Sequence, residues 1–228
     1  MNLVITMAGK YSRFRDEGYK LPKYLLPWGD RSILSEIISN LWPEGNIFLV
    51  ANIEDAPFMG HVRKIMDKYG IDRKNLLLVG NTSGQAETAA IACRHFGIGK
   101  SPVVFHNADT ILYKRDMVAI VERLKSCDGY IDVFKSNNHD YSYVVEKDGR
   151  VSMIGEKVLV SDLATSGLYG FREASEFLYY FDGQHYISEI YKEMIQKNCN
   201  IQVGDAHNET DTIVLGTPQD YLKHSAGL

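Results

Sequence analysis

Five cations crowd one short stretch near the amino terminus: Lys10, Arg13, Arg15, Lys20 and Lys23 are answered there only by Asp16 and Glu17. They follow an apolar run, Leu3-Val4-Ile5, that gives way to Met7, Ala8 and Gly9 before Lys10, Tyr11 and Ser12. A strand ending in small residues lets backbone N–H groups approach an anion, and a guanidinium and an ammonium nearby bring side-chain charge to the same group. Pro22 and Pro27 bracket Lys23 and stiffen its segment, a constraint that a merely solvated lysine does not need. The spacing therefore predicts capture of a polyphosphate by Ala8, Gly9, Lys10, Tyr11 and Ser12, with Arg13 and Lys23 neutralising charge that builds on the phosphoryl oxygens. The whole chain carries a net charge of −4, so the local excess argues for a small anionic ligand and against nucleic acid.

Two further positions could serve such an anion. Asp109 lies just past the apolar run Pro102-Val103-Val104-Phe105, with Asn107 before it. A hard Mg²⁺ ion takes one or two carboxylates together with phosphate oxygens, and an Asp at a strand's carboxyl end can offer one; the competing reading is an Asx-turn. Gln85 carries an amide that donates and accepts at once, which suits the edge of a pyrimidine base. Thr82-Ser83-Gly84-Gln85 also fits a helix capping box, with Thr82 as N-cap and Gln85 at N3. The seven histidines lack metal spacing, and His106 is expected to pack beside the sheet. Cys93, Cys127 and Cys199 are scattered and are expected to be buried, reduced thiols.

Taken in order along the chain, these residues resemble the sugar-nucleotide pyrophosphorylases, or nucleotidyltransferases. The Gly-rich turn with Arg13, then Pro22-Lys23 and an apolar run to Pro27, is followed by Gly84-Gln85-Ala86-Glu87-Thr88 and Asn107-Ala108-Asp109. Glu156-Lys157, Ser166-Gly167-Leu168-Tyr169-Gly170-Phe171 and Leu215-Gly216-Thr217-Pro218 complete the series. The resemblance implies that Gln85 reads the nucleobase and Asp109 holds Mg²⁺. It implies too that Lys157 neutralises an attacking phosphate, that Glu156 takes a hydroxyl or amine, and that Gly167 lets the acceptor lie against backbone. The implied activity moves a nucleoside monophosphate from CTP, UTP or dTTP to a sugar phosphate or another small phosphorylated acceptor and releases pyrophosphate. Cell-surface polysaccharide synthesis is the implied setting. A cytidylyltransferase for a phosphocholine-like acceptor, a glycosyltransferase of similar fold and a non-catalytic nucleotide-binding subunit are the other readings.

Three positions depart from the family pattern. Tyr11 stands where most members carry a second Gly, and Val214 where they carry a second metal carboxylate. Asp211 is the nearest substitute for that carboxylate, but strand alternation turns it to the face opposite position 214 unless a bulge intervenes. Tyr143 stands where hexose-specific members have a small residue, so it would fill part of a hexose pocket and point to a non-hexose acceptor.

The elements that must position these residues are legible in the periodicity. Apolar runs predict strands at 2–7, 46–51, 75–79, 102–106 and 129–135. Helical spacing behind Ser32 (Ile33, Leu34, Ile37, Ile38, Leu41) and behind Asp116 (Met117, Val118, Ile120, Val121, Leu124) predicts helices between them. The fold class expected is α/β: three layers with a mostly parallel, Rossmann-like sheet between helices, as a single domain. Residues of about 1–135 form the nucleotide half, and about 136–228 an acceptor half with short antiparallel strands near 141–146, 151–154 and 166–171 and helices near 173–181 and 188–197. No apolar stretch reaches the roughly 18 residues of a membrane span and no signal-peptide pattern is evident. A cytoplasmic enzyme with small-molecule partners alone is expected.

Overall fold

The computed structural model describes residues 1–41 and 45–227. Its centre is a nine-stranded mixed sheet in the order β5-β4-β1-β6-β11-β8-β12-β10-β9. The first four are β5 (Leu76–Val79), β4 (Asn46–Asn52), β1 (Asn2–Met7) and β6 (Val103–Asn107), and all four run parallel. Beyond them β11 (Leu163–Phe171) is antiparallel to both β6 and β8 (Gly129–Lys135). β12 (Ile201–Val203), β10 (Arg150–Gly155) and β9 (Tyr143–Lys147) finish the sheet. Each strand expected from the sequence is present, and the change from parallel to antiparallel pairing falls where the pattern of the sequence changes.

Alternation along β1 explains why the sheet is covered on both faces. Leu3, Ile5 and Met7 point into one core with Ile33, Leu34, Ile37 and Ile38 of α2 (Ile33–Asn40), while Val4 joins Phe105 and the helices α4 (Gln85–His95) and α7 (Ile187–Gln196) on the other side. Each such fully buried aliphatic side chain stabilises the fold by roughly 1.5–3 kcal/mol. Ser32 caps α2 by accepting from the Ser35 N–H, and Asp116 caps α5 (Met117–Leu124) by accepting from the Ala119 N–H. No helix among the described residues is long and apolar enough to cross a membrane.

Strand order fixes where a ligand can sit. From β1 the chain steps outward to β4 and β5, then returns to pair β6 on the other side of β1. Between the carboxyl ends of β1 and β6 the connections diverge and leave a crevice, into which Ala8 and Asp109 are carried.

A small ladder supports the Asp109 side of that crevice. β7 (Thr110–Leu112) pairs antiparallel with β13 (Thr212–Val214), so Val214 lies opposite Thr110. The wholly buried Arg115 fastens this ladder to the main sheet through its ion pair with Asp132 of β8 at 3.0 Å. Its remaining donors reach the carbonyls of Tyr113 and Asp211 and the Thr212 hydroxyl, so every charge and donor is satisfied. Arg115→Met leaves the Asp132 carboxylate buried alone and is expected to cost about 3–5 kcal/mol, read as a lower urea midpoint at unchanged slope. The double change Arg115→Met with Asp132→Leu should recover part of that loss.

Two local expectations are corrected. Cys199 is only half-buried beside the Tyr180 hydroxyl at 3.3 Å, whereas Cys93 and Cys127 are buried. The helix after β5 starts later than the capping box implies: its N-cap is Gly84, and Gln85 is its first residue, not N3. Thr82 shares its hydroxyl with that of Thr88 at 2.8 Å, and the Ala86 N–H donates to the His185 carbonyl at 3.1 Å.

Candidate functional site

Two cavities open at the crevice and share a wall formed by Gln85, Asn107, Asp109 and Tyr186. The first, of about 420 Å³, lies between the turn Ala8–Tyr11 and the loop Asn81–Gln85, with Lys23 on its wall. The second, of about 710 Å³, is bounded by Arg13, Tyr141, Ser142, Lys157 and Ser166. Both halves of the chain contribute to the second.

Lys23 and Asp109 meet at the shared wall. Lys23 Nζ donates to Asp109 Oδ2 at 2.8 Å, and the ammonium also lies 5.5 Å from the centre of the Phe14 ring. Phe14 is the buried anchor of α1 (Ser12–Asp16), so the short helix supports the lysine from beneath. Burial, the largest influence on the Asp109 carboxyl, pushes its pKa up. The Lys23 ammonium more than offsets it, helped by His106 and the Thr110 hydroxyl, and the carboxyl ends below its ordinary range. His106 itself is fully buried in β6, and burial pulls its pKa down to about 4, so the ring is neutral with Nε2–H donating to the Thr110 carbonyl at 2.8 Å. It touches neither cavity, as expected of a packing residue.

The turn after β1 is held by an arrangement that the sequence does not announce. Gly9 has open space where a Cβ would sit, on the wall of the first cavity, so its lack of a side chain leaves room for whatever occupies that cavity. Tyr11 adopts a left-handed conformation (φ 37°), which explains why a glycine is usual there. Its hydroxyl donates to the buried Asp55 carboxylate, which also accepts from the Tyr24 hydroxyl at 3.0 Å, while Arg15 stacks 4.7 Å from the Tyr11 ring. Burial and the Asp55 contact push the Tyr11 phenol up to about 12, and burial raises the Asp55 carboxyl against the pull of its two tyrosine donors. Thus the Tyr11 hydroxyl is anchored on Asp55, and the departure from glycine is compensated by hydrogen bonding.

The expected site residues separate into three groups. Ala8, Gly9, Lys10, Tyr11 and Lys23 line the first cavity; Arg13, Glu156, Lys157 and Gly167 line the second; Gln85 and Asp109 border both. Arg13 therefore stands on the second cavity, apart from the Ala8–Tyr11 turn, and Ser12 opens α1 without reaching either wall. Asp211 and Tyr143, like Ser12, are not brought to the site. Asp211 lies at the far end of the ladder, opposite Tyr113, and pairs with Lys114 at 2.9 Å. No bulge turns it back, and Val214 alone faces the cavity from that strand. Tyr143 is fully buried against Phe134 and Ala164 with its hydroxyl donating to the Asn138 carbonyl, so it neither fills the second cavity nor reports on acceptor size. Its neighbour Ser142, of opposite parity, faces the cavity instead.

Several contacts around the second cavity depend on residues distant in sequence. Glu156 Oε2 accepts from the Ser142 and Ser188 hydroxyls, the latter at 2.6 Å. Lys157 Nζ sits 5.6 Å from the centre of the Tyr186 ring. Gln85 Nε2 donates to Asn107 Oδ1, and Asn107 in turn packs against Gly167, where an added Cβ would fall 2.3 Å from Asn107 Nδ2. Gly167 also has φ +85° at the irregularity that splits β11. Gly167→Ala is expected to displace the Asn107–Gln85 pair and reduce kcat/KM by about tenfold or more, with about 1–2 kcal/mol of destabilisation from backbone strain. A thermal melt beside the kinetics separates the two effects.

The sequence matches no family model and no curated protein. Solved structures do match over nearly the whole chain. A nucleoside-diphosphate-sugar pyrophosphorylase from Vibrio cholerae RC9 superposes with a TM-score of 0.82 at 24% identity, over 98% of this chain and 99% of that one. A putative glucose-1-phosphate thymidylyltransferase from Bacillus anthracis gives 0.78 at 17% identity, over 99% and 94%. The inositol-1-phosphate CTP transferase from T. maritima gives 0.70 at 13%, over 96% and 90%. The fold is shared with these proteins from end to end, as the order of motifs in the sequence implies.

Proposed function

We propose that the chain is a nucleotidyltransferase that moves a nucleoside monophosphate from a pyrimidine nucleoside triphosphate to a small phosphorylated acceptor, a sugar phosphate or a related polyol phosphate. The observation that carries this reading is the meeting of two cavities at Lys23–Asp109, one walled by a small-residue turn suited to a polyphosphate and the other bordered by Arg13 and Lys157. The kinds of substrate named for the three structural neighbours agree with it.

In this reading the triphosphate lies along the Ala8–Tyr11 turn with its α-phosphorus at the shared wall. The acceptor phosphate, held by Arg13 and Lys157, presents an oxygen that is already ionised near neutral pH, so no general base is required. Lys23 neutralises charge on the transferred phosphoryl group as pyrophosphate departs. Catalysis then rests on alignment and charge, in keeping with two cavities that no histidine among the described residues lines.

A divalent ion fits the donor set in a limited way. Asp109 is the single carboxylate at the shared wall, Val214 offers no ligand, and Asp211 is turned away. Mg²⁺ accepts one protein carboxylate when phosphate oxygens and waters complete its shell, so Asp109 would hold it. When bound, it would neutralise phosphate charge and orient the triphosphate.

A pyrophosphate-release screen of CTP, UTP, dTTP and GTP against hexose 1-phosphates, inositol phosphate and phosphocholine tests the reading. Release that requires both a triphosphate and an acceptor supports it. Formation of free nucleoside diphosphate from a nucleotide-sugar favours the glycosyltransferase alternative.

A further inference from the structure

At the end of the first cavity remote from Lys23, a chain of amides ends in an unshared donor. Asn52, the last residue of β4, is 2% exposed, and its Oδ1 accepts from the Glu54 backbone N–H at 2.9 Å. Its Nδ2 donates to the Ala8 carbonyl at 3.3 Å and to Asn81 Oδ1 at 3.3 Å. A backbone N–H can only donate and a backbone carbonyl only accept, so both ends of the Asn52 amide are assigned by the main chain. The Asn81 oxygen is consequently the end turned toward Asn52. Asn81 is solvent-exposed on the cavity wall that Ala8 and Gly84 also line, and its Nδ2 makes no hydrogen bond within the described residues.

We infer that Asn81 selects the nucleobase by donating from Nδ2 to an acceptor atom on the base edge, and that Asn52 positions it. The inference rests on the nucleotide-binding reading above. Asn81 follows β5 at the rim of the sheet, and Asp109 follows β6, three strands away; at about 4.8 Å per strand the two ends of the crevice are some 14 Å apart. Lys23 and Asp109 stand at the β6 end and Lys10 on the turn after β1, where phosphates belong, which leaves the neutral Asn81 at the β5 end for the base. Gln85 commits one Nε2–H to Asn107 at the shared wall, on the β6 side of the cavity.

Cytosine carries an amino donor where uracil and thymine carry a carbonyl acceptor, so exchanging donor for acceptor on the protein must alter the preference between them. Asn81→Asp replaces the N–H groups with oxygens. Asn52→Asp, which lies behind Asn81 and not on the cavity wall, still accepts from Glu54 but draws the Asn81 NH₂ toward itself and turns the Asn81 oxygen to the cavity. Calorimetric titration of the folded proteins with CTP and UTP should show the Kd ratio shifted by at least about tenfold in both variants and in the same direction. An unchanged ratio in either variant, or equal weakening toward both nucleotides, overturns the inference while leaving the nucleotide-binding reading intact. Failure of the unaltered protein to bind any of CTP, UTP or dTTP overturns that reading and the inference with it. Thermal melts confirm that each variant is folded before titration.

Discussion

Asp109→Asn is expected to lower kcat by about 10³-fold or more while leaving the acceptor KM within a few-fold. The substitution removes the one carboxylate at the wall common to both cavities and also the partner that holds Lys23 Nζ at 2.8 Å, so charge and alignment are lost together. Magnesium dependence provides the companion readout: titration with the ion restores the rate of the unaltered enzyme and does not restore that of the variant. The carboxyl is held below its ordinary range, so in the unaltered protein it stays ionised from about pH 5 upward and contributes no limb to the rate profile between about pH 5 and 8. A depressed carboxyl favours the folded state above its unfolded pKa, and that contribution fades as pH falls through the folded value. With the carboxyl about a third exposed, the associated stability is small.

Lys23→Met is the second large effect, a loss of roughly 10²–10³ in kcat. Methionine keeps the apolar stem that packs over Phe14, so the fold should survive and the melting temperature should change little. Binding of the triphosphate should weaken less than turnover falls, because the ammonium is worth most when pyrophosphate leaves. The variant should also acquire an acid limb at higher pH than the unaltered enzyme. Without the ammonium, burial acts on Asp109 with less opposition, and its pKa rises. A profile that keeps its shape would show that the two groups do not act together.

Much of this architecture is readable from residue pattern because it is set by local period and burial. β1 is buried on both faces and its apolar run is continuous; the helices behind Ser32 and Asp116 carry their caps in the sequence. The loop residues that follow β1 and β6 reach the site because strand ends determine where they go. What pattern could not supply are contacts made across long separations. The start of α4 is decided by the His185 carbonyl, which receives the Ala86 N–H and stands 2.3 Å from where a Gly84 side chain would begin, so the capping box at Thr82 never forms. The resemblance alone sets Tyr143 in a hexose pocket, and it carries no information on which face of the short strand the side chain takes: Ser142 faces the cavity and Tyr143 packs on Phe134 and Ala164. Asn81, an isolated Asn in a polar loop, carries no signal in the sequence, because the residue that orients it, Asn52, lies 29 residues away. Tyr186 likewise becomes visible only when the fold sets it at the junction of both cavities beneath Lys157. Asp211 stays off the cavity for a reason that alternation does not contain: it ends the 3-10 turn Glu209–Asp211 before β13, with its carboxylate on Lys114.

The central claim is that bond formation occurs at the α-phosphorus, at the wall where Lys23 meets Asp109. Incubation with acceptor and a triphosphate labelled at either the α- or the γ-phosphate addresses it directly. The expected result is that α-label moves onto the acceptor while γ-label leaves as pyrophosphate. Transfer of γ-label to the acceptor, or recovery of all α-label in free nucleoside diphosphate, would contradict it.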